Sequence, residues 1–258
     1  MAGSEPATPP TTFGLIPGAG GDAWYWHRLV PELEERGHRA VAVDLPAEDG
    51  NAGLADYVEM VVEALGDAAP VVIVAQSMGG LTAPLVCERR TVALVVLVNA
   101  MIPAPGETGH QWWTSTGQPE ARARHATAEG RTPPDGVDPM EDFLHDLPPD
   151  VLADALRHGQ PAQSSAPFDD PHPLAAWPDV PTRVVAGRDD RFFPAPFQRH
   201  LAEERLGVAP TEIPGGHLLA LANPTGLAEQ LDAAWTAVAS RAAAPGAPAG
   251  RRDEEVAP

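Results

Sequence analysis

The chain alternates short apolar runs with segments of helical spacing, and this rhythm limits the folds open to it. The runs 71–74 (VVIV) and 92–98 (VALVVLV) are continuously apolar, as strands covered on both faces usually are. In the segment 54–65, apolar residues instead recur every three or four positions, which is typical of a helix. Strands that alternate with helices pair in parallel, and the helices cover both faces of one sheet. We therefore predict an α/β fold with a mostly parallel, six-stranded sheet.

The other elements are placed by the same two patterns. Further strands are predicted at 12–16, 39–44, 182–186 and 212–213, and further helices at 24–35, 78–89, 196–205 and 227–239. The ends of the chain are polar or rich in Pro and Ala, so we expect a disordered leader over 1–11 and a disordered tail over 242–258.

One connection is too long for this rhythm. Asn99 and Thr182 lie 83 positions apart, whereas a crossover between parallel strands needs only about a dozen residues. Within this stretch the spacing predicts helices at 120–129 and at 140–156, the second interrupted at Pro148-Pro149. We expect a helical cap over 101–181, inserted between the core segments 12–100 and 182–241.

Composition excludes several classes of function. The chain has 36 acidic residues against 17 basic ones, a formal net charge of −19, which argues against binding nucleic acid or an anionic membrane. All the basic residues are Arg, so lysine Schiff-base chemistry and a P-loop lysine are excluded. No signal peptide or membrane-spanning run is recognisable, and we expect a cytoplasmic protein.

Cysteine and histidine give no sign of a metal centre. Cys87 is the only cysteine, which excludes an internal disulfide and a cysteine zinc cluster, and its apolar neighbours indicate a buried structural thiol. The histidines show no metal-ligand spacing. We expect neither a metal nor an organic cofactor, and the oligomeric state stays open.

The most informative segment for chemistry is 71–80 (VVIVAQSMGG), a buried strand followed by a serine turn and a helix start. This is the context of a nucleophile elbow, in which the positions two before and two after the serine must be small. Ala75 and Gly79 satisfy that requirement. The turn would expose Ser77 at the carboxyl end of the strand and place the Met78 N–H at a helix N-terminus, where a developing anion is stabilised.

A nucleophilic serine needs a base and a group that orients the base. Acids at Asp189 and Asp190 follow the strand 182–186, and His217 lies in a Gly-rich loop after the last strand. The order serine, acid, histidine is the one expected on an α/β sheet. The loop 17–21 (PGAGG) follows the first strand, and we predict that its Ala19 N–H forms an oxyanion hole with the N–H of Met78.

Two segments carry a resemblance to a known family. Residues 17–26 (PGAGGDAWYW) resemble the HGAxxGAWxW opening of α/β-hydrolases in the methylesterase and hydroxynitrile lyase group, and 37–45 (GHRAVAVDL) is similar to their second strand. The resemblance covers roughly 12–100 and 182–238 and implies a Ser–His–Asp triad. The family acid stands three residues after a Gly and four before a Pro, as Asp190 does, so we prefer Asp190 to Asp189.

The chain departs from this family pattern at three positions. Pro17 replaces the opening His and Ala75 replaces a Gly. Leu218 follows His217 where the resembling hydroxynitrile lyases carry a Lys that handles cyanide, which favours hydrolysis.

The resemblance and the motifs together predict a serine hydrolase that cleaves a carboxylic ester of a small or medium apolar molecule through an acyl-enzyme on Ser77. Two alternatives stay open: a thioesterase or acyl-cyclising tailoring enzyme of secondary metabolism, and a ligand-binding protein that does no chemistry. Trp112 and Trp113 either line an apolar substrate pocket or anchor the cap to the body.

Overall fold

The computed structural model describes residues 9–133 and 135–243. Most of the predicted leader and tail lies outside the described residues, but their inner ends differ from the prediction. Thr11 is buried, and its hydroxyl donates to the carbonyl of Pro70 at 3.0 Å. The last helix continues to Ala243, since a run of alanines favours helix.

Six parallel strands form one sheet, which confirms the predicted α/β fold. The sheet order is β2-β1-β3-β4-β5-β6. The strands are β1 (Thr12–Ile16), β2 (Arg39–Ala42), β3 (Val71–Gln76), β4 (Leu94–Val98), β5 (Thr182–Gly187) and β6 (Thr211–Ile213).

Helices cover both faces of this sheet. After a short 3₁₀ helix at Ala23–Trp26 they are α1 (Leu29–Glu35), α2 (Leu54–Leu65), α3 (Gly79–Arg89), α4 (Gly109–Ser115), α5 (Gln118–Ala128), α6 (Pro139–Asp142), α7 (Pro149–His158), α8 (Ala166–Asp169), α9 (Ala195–Leu206), α10 (Leu219–Ala222) and α11 (Pro224–Ala243).

The core has two parts, one on each face of the sheet. Along β3, Ile73 packs into one part with α2, α3 and α9, whereas Val72 and Val74 pack into the other with α1 and α11. Successive side chains of a strand point to opposite faces, so a continuously apolar strand such as β3 serves both parts at once.

The strand order places a functional site at one end of the sheet. The chain runs from β1 outward to β2 and then returns to the other side of β1 to form β3. Ligands bind outside the carboxyl ends of strands at such a reversal. The loop after β1 and the turn after β3 therefore meet at the carboxyl end of the sheet.

The described residues between β4 and β5 form five helices, α4 to α8, of which the sequence pattern indicated only α5 and parts of α6 and α7. Helix α4 was missed because it is short and its apolar content is limited to Trp112 and Trp113. It begins at a capping box in which Thr108 and Gln111 satisfy each other's backbone N–H groups. The predicted helix 140–156 is split, with α6 ending at Asp142 and α7 starting at Pro149.

A buried ion pair joins α5 to α6 within this segment. The guanidinium of Arg122 binds both carboxylate oxygens of Asp142, and the two side chains are only 10% and 4% exposed. Arg122 also donates to the carbonyl of Gly136 at 2.9 Å and lies over the ring of Phe192, 5.5 Å from its centroid. The pair thus fixes the loop before α6 against the body of the protein.

We predict that Arg122→Met lowers the free energy of unfolding by about 3–5 kcal/mol, because it leaves the Asp142 carboxylate buried without a partner charge. Urea unfolding followed by circular dichroism measures the change. The control is Arg157→Met, which removes an exposed pair with Asp154 and should cost at most about 1 kcal/mol. Equal midpoints for the two variants would contradict the prediction.

Candidate active site

Ser77 occupies a tight turn between β3 and α3. Its φ of +50° lies in the left-handed region, which is unfavourable for a residue with a Cβ. The backbone around it fixes this conformation: the Ser77 N–H points to the carbonyls of Val98 and Asn99, at 3.3 and 3.2 Å, and its own carbonyl accepts from the N–H of Met101 at 2.9 Å. The sequence pattern of an elbow at this serine thus corresponds to an observed strained turn.

The small residues around Ser77 are needed because other backbone passes close to them. A Cβ on Gly79 would lie 2.7 Å from the carbonyl oxygen of Pro17, and a Cβ on Gly80 would lie 1.9 Å from that of Met101. Ala75 is fully buried. The sequence pattern identified positions 75 and 79, but the tightest contact is at Gly80.

The structure brings His217 and Asp190 together with Ser77. The His217 Nε2 lies 3.1 Å from the Ser77 Oγ, and the Nδ1 lies 2.8 Å from the Asp190 Oδ2. Asp190 is fully buried and His217 is 3% exposed. The other oxygen of Asp190 accepts the N–H groups of Phe192 and Phe193, both at 2.8 Å, which offsets the cost of burying the carboxylate.

Asp189, the alternative acid, has a different position. Its side chain is exposed and accepts the N–H of Gly215 at 3.0 Å, while its own N–H donates to the Gly215 carbonyl at 3.0 Å. Asp189 therefore fastens the loop that carries His217, and Asp190 contacts the imidazole.

Asn99 is a buried polar residue of the site that the sequence reasoning missed. It has a φ of +44° and is the first residue after β4. Its amide nitrogen lies within hydrogen-bond distance of the Gly216 and His217 carbonyls, at 2.9 and 3.0 Å, and its oxygen accepts the Gly187 N–H at 2.7 Å. Asn99 thus joins the ends of β4 and β5 to the His217 loop. The sequence feature that could have indicated Asn99 is its place directly after the apolar strand 92–98.

Aromatic rings surround the imidazole of His217. The rings of Phe143, Phe192 and Phe193 have centroids 5.3, 5.3 and 5.1 Å from it. Phe192 is the ring beneath Arg122. These contacts restrict the His217 ring to the orientation in which it bridges Asp190 and Ser77.

The loop after β1 lies directly against Ser77. A Cβ on Gly18 would be 2.8 Å from the Ser77 Cβ and 2.4 Å from the side-chain oxygen of Gln76, so this approach needs glycine. Within residues 9–133 and 135–243, no protein acceptor is found for the N–H of Ala19 or Met78. Both residues line the cavity beside Ser77, which leaves their N–H groups available to a ligand oxygen.

That cavity has a volume of about 280 Å³ and is mainly apolar. Trp113 lines it, as one reading of the sequence expected. Trp112 does not: it is fully buried in the core, and its indole N–H donates to the Ile102 carbonyl at 3.0 Å. The side chains of neighbouring helical residues point about 100° apart. Trp113 therefore lines the pocket, whereas Trp112 anchors α4 to the core. The other apolar residues that line the cavity are Met101, Val137, Pro139, Phe143, Phe168, Phe192 and Leu218.

A second cavity of about 280 Å³ adjoins the first. The two share Ala19, Pro139, Phe143 and Leu218 among their lining residues. The second extends along the loop after β1 towards α7. Tyr25 contributes to its wall, and burial raises the pKa of this phenol, which keeps it protonated at neutral pH.

Two further titratable groups lie outside the Ser77 cavity. Burial raises the pKa of the Cys87 thiol to about 12, so this cysteine is a poor nucleophile at neutral pH. Burial lowers the pKa of His145, next to Asp146, whose carboxylate accepts the N–H of Gly216. Across the described parts of the chain, no group of three or more His, Cys, Asp or Glu side chains could hold a metal ion, and no helix could cross a membrane.

Comparison with known proteins identifies the family. A family model described as "Alpha/beta hydrolase family" matches residues 15–230, which is more than half of the chain. The chain therefore belongs to the α/β-hydrolase family.

Curated relatives match a little over a third of the chain. A probable esterase from Oryza sativa subsp. indica is 36% identical over 107 residues, covering 37% of this chain and 41% of the relative. Polyneuridine aldehyde esterase of Rauvolfia serpentina is 32% identical over 108 residues, with the same two shares. The chain thus spans about two fifths of the length of the curated relatives it matches.

Solved structures match over almost the whole chain. A pyrethroid hydrolase from Sphingobium faniae superposes with a TM-score of 0.67 and 24% identity, covering 90% of this chain and 100% of the other. A methylesterase from Arabidopsis superposes with a TM-score of 0.64 and 19% identity, covering 86% of this chain and 97% of the other. At these identities the likeness supports the shared fold.

We predict that Asn99→Ala lowers the free energy of unfolding by about 2–4 kcal/mol, because it leaves the Gly187 N–H and the Gly216 carbonyl buried without partners. Thermal and urea unfolding measure the loss. The matched control is Asn51→Ala, at an exposed position bonded only to Asp49, where the cost should be below about 0.5 kcal/mol. The prediction is wrong if both variants unfold at the same denaturant concentration.

Proposed function

We propose that this protein is a serine hydrolase that cleaves a carboxylic ester of a small or medium apolar molecule. The observation that carries the proposal is the hydrogen-bonded chain from Asp190 through His217 to Ser77, which opens onto an apolar cavity. The family and the esterases among the relatives support the same reaction class.

In the first half of the reaction, the Ser77 Oγ attacks the ester carbonyl carbon. Its proton passes to the Nε2 of His217, 3.1 Å away. Asp190 accepts the Nδ1–H, fixes the tautomer of the imidazole and stabilises the imidazolium that forms. His217 then gives the proton to the leaving alcohol as the C–O bond breaks, and the acyl group remains on Ser77.

The negative charge that develops on the carbonyl oxygen needs donors held in place beforehand. The N–H groups of Ala19 and Met78 serve this purpose, since both residues line the cavity next to Ser77 and neither N–H has a protein acceptor within the described residues. Met78 directly precedes α3, so the dipole of this helix adds to the stabilisation.

In the second half, water replaces the alcohol. His217 takes a proton from the water, which attacks the acyl carbon and releases the acid from Ser77. The residue after His217 is Leu218, an apolar side chain in the cavity wall. Hydrolysis therefore fits this site better than cyanide chemistry, for which the resembling lyases use a Lys there.

The cavities favour a neutral substrate. Around Ser77 the wall consists of aromatic and aliphatic side chains, and its polar groups are the catalytic ones, Gln76 and Gln160. In the second cavity the carboxylate of Asp22 is hydrogen-bonded, since it lies 2.9 Å from the Nε2 of His158 and accepts the N–H of Trp24 at 2.9 Å. Among the described residues that line the two cavities there is no Arg, so a substrate carboxylate would find no permanent positive charge there.

We predict that Ser77→Ala lowers kcat for p-nitrophenyl esters by a factor on the order of 10⁶, because the nucleophile is gone. Steady-state hydrolysis from acetate to decanoate measures this, together with labelling by a fluorophosphonate probe. Ser240→Ala, at an exposed position on α11, is the control and should behave like the wild type.

Each other outcome has a defined meaning. Near-normal ester turnover by Ser77→Ala would overturn the mechanism. Labelling of wild-type Ser77 without ester turnover would redirect the proposal to thioesters or acyl cyclisation. Tight binding of apolar molecules with neither labelling nor turnover would indicate a ligand-binding protein.

The two neighbouring acids provide a sharper test. Asp190→Asn should lower kcat by about 10⁴, because an amide favours the wrong imidazole tautomer. Asp189→Asn keeps an oxygen for the Gly215 N–H, so it should cost less than about tenfold, the equivalent of one hydrogen bond. Rates of p-nitrophenyl acetate hydrolysis by the two variants compare them directly. If kcat falls further in Asp189→Asn than in Asp190→Asn, Asp189 is the acid that orients His217.

A further inference from the structure

The segment between α7 and α8 crosses the loop after β1. We call residues 158–164 the strap. At its first end, the Nε2 of His158 lies 2.9 Å from the Asp22 carboxylate, and the imidazole stacks on Trp24 with centroids 4.3 Å apart. The strap then runs over Ala19 and Gly20, the part of the loop nearest to the proposed oxyanion hole.

Two glutamines of the strap hold both polar ends of one peptide group. The Gly20 N–H donates to the side-chain oxygen of Gln163 at 2.9 Å. The carbonyl of Ala19, on the same peptide group, accepts from the side-chain nitrogen of Gln160 at 3.1 Å. Gln160 is exposed, so water competes for its bond, whereas Gln163 is partly buried and is the stronger constraint.

The strap also packs against this peptide. Gly20 has a φ of +61°, and a Cβ there would lie 2.3 Å from the carbonyl oxygen of Pro161. Such contact requires glycine, and glycine in turn makes the free loop flexible. Three of the five residues 17–21 are glycines, and Pro17 has neither an N–H nor a polar side chain to fix the loop from within.

Gln163 is itself anchored to the core. Its amide nitrogen lies 3.1 Å from the hydroxyl of Tyr57, a fully buried residue of α2. The next residue of the strap is held twice: the Ser164 N–H donates to the Ala47 carbonyl at 2.7 Å, and its hydroxyl donates to the Asp49 carbonyl at 3.0 Å. The position of the Gln163 oxygen is therefore set by the body of the protein.

We propose that Gln163, assisted by Gln160, is a positioning residue for the oxyanion hole. By fixing the Ala19–Gly20 peptide it fixes the adjoining Gly18–Ala19 peptide, whose N–H points to the substrate oxygen. Donors of this kind act only when held within about 0.5 Å of the productive geometry. The inference rests on the proposed function, because it assigns Gln163 a role in that same reaction.

The test compares Gln163→Met, which keeps the length of the side chain but loses the acceptor, with the wild type. For p-nitrophenyl acetate we expect kcat to fall about tenfold and KM to change less than about twofold, because a transition-state interaction is lost. Tyr57→Phe removes only the anchor of Gln163 and should give a smaller loss of kcat. The matched control, Gln230→Met, is a partly exposed position on α11 and should leave both constants unchanged.

A second readout separates positioning from general damage. An aryl trifluoromethyl ketone adds to the Ser77 Oγ, with the serine proton passing to His217, and its oxygen becomes an oxyanion in the hole. Its inhibition constant should rise in Gln163→Met by the same factor as kcat falls. The corresponding neutral aryl alcohol carries no oxyanion, so its inhibition constant should stay the same.

Four outcomes would overturn the inference. Wild-type kcat in Gln163→Met excludes a positioning role. An equal weakening of ketone and alcohol indicates a damaged cavity. If Gln163→Met does not fold, full activity of Tyr57→Phe excludes the positioning role. A wild-type protein that neither binds the ketone nor hydrolyses esters overturns the proposed function, and the role of Gln163 with it.

Discussion

The left-handed turn at Ser77 determines the arrangement around it. A residue with a Cβ adopts this conformation at a cost of about 1–2 kcal/mol, so the surrounding contacts must maintain it. Here the Ser77 N–H and carbonyl are both bonded to the chain that leaves β4. Close packing against Pro17 and Met101 leaves room only for glycine at positions 79 and 80. The ends of β1, β3 and β4 are consequently locked to one another at this serine.

Buried polar groups extend this coupling to the remaining strand ends. Asn99 is the first residue beyond β4. Its side chain is hydrogen-bonded to Gly187 at the end of β5 and to two carbonyls of the His217 loop. Gln198 of α9 reaches both Asn99 and Asp190 with its side-chain nitrogen, at 3.0 and 3.3 Å. Inside a protein, groups of this kind are costly unless paired. The network therefore favours a single arrangement of the acid and histidine loops.

Local patterns in the sequence were enough to predict much of this site. Ser77 lies in a strand–turn–helix pattern of ten residues, which indicates a nucleophile by itself. His217 was predicted from its Gly-rich loop together with the order serine, acid, histidine along the chain. Asn99 and Gln163 could not be predicted, because their partners are 88 and 143 positions away along the chain. The same limit applies to Trp112 and Trp113, since only the packing of α4 decides which of the two faces the cavity.

In the proposed reaction, the segment between β4 and β5 contributes to rate as well as to substrate choice. The sheet and its loops supply the reacting groups, but the segment contacts those groups from the open side. Phe143 packs on the His217 ring and also lines both cavities. Asp146 accepts the Gly216 N–H, and Gln163 accepts that of Gly20. A substrate large enough to displace these side chains would also disturb the loops that carry His217 and Ala19, so pocket size and reactivity cannot vary independently.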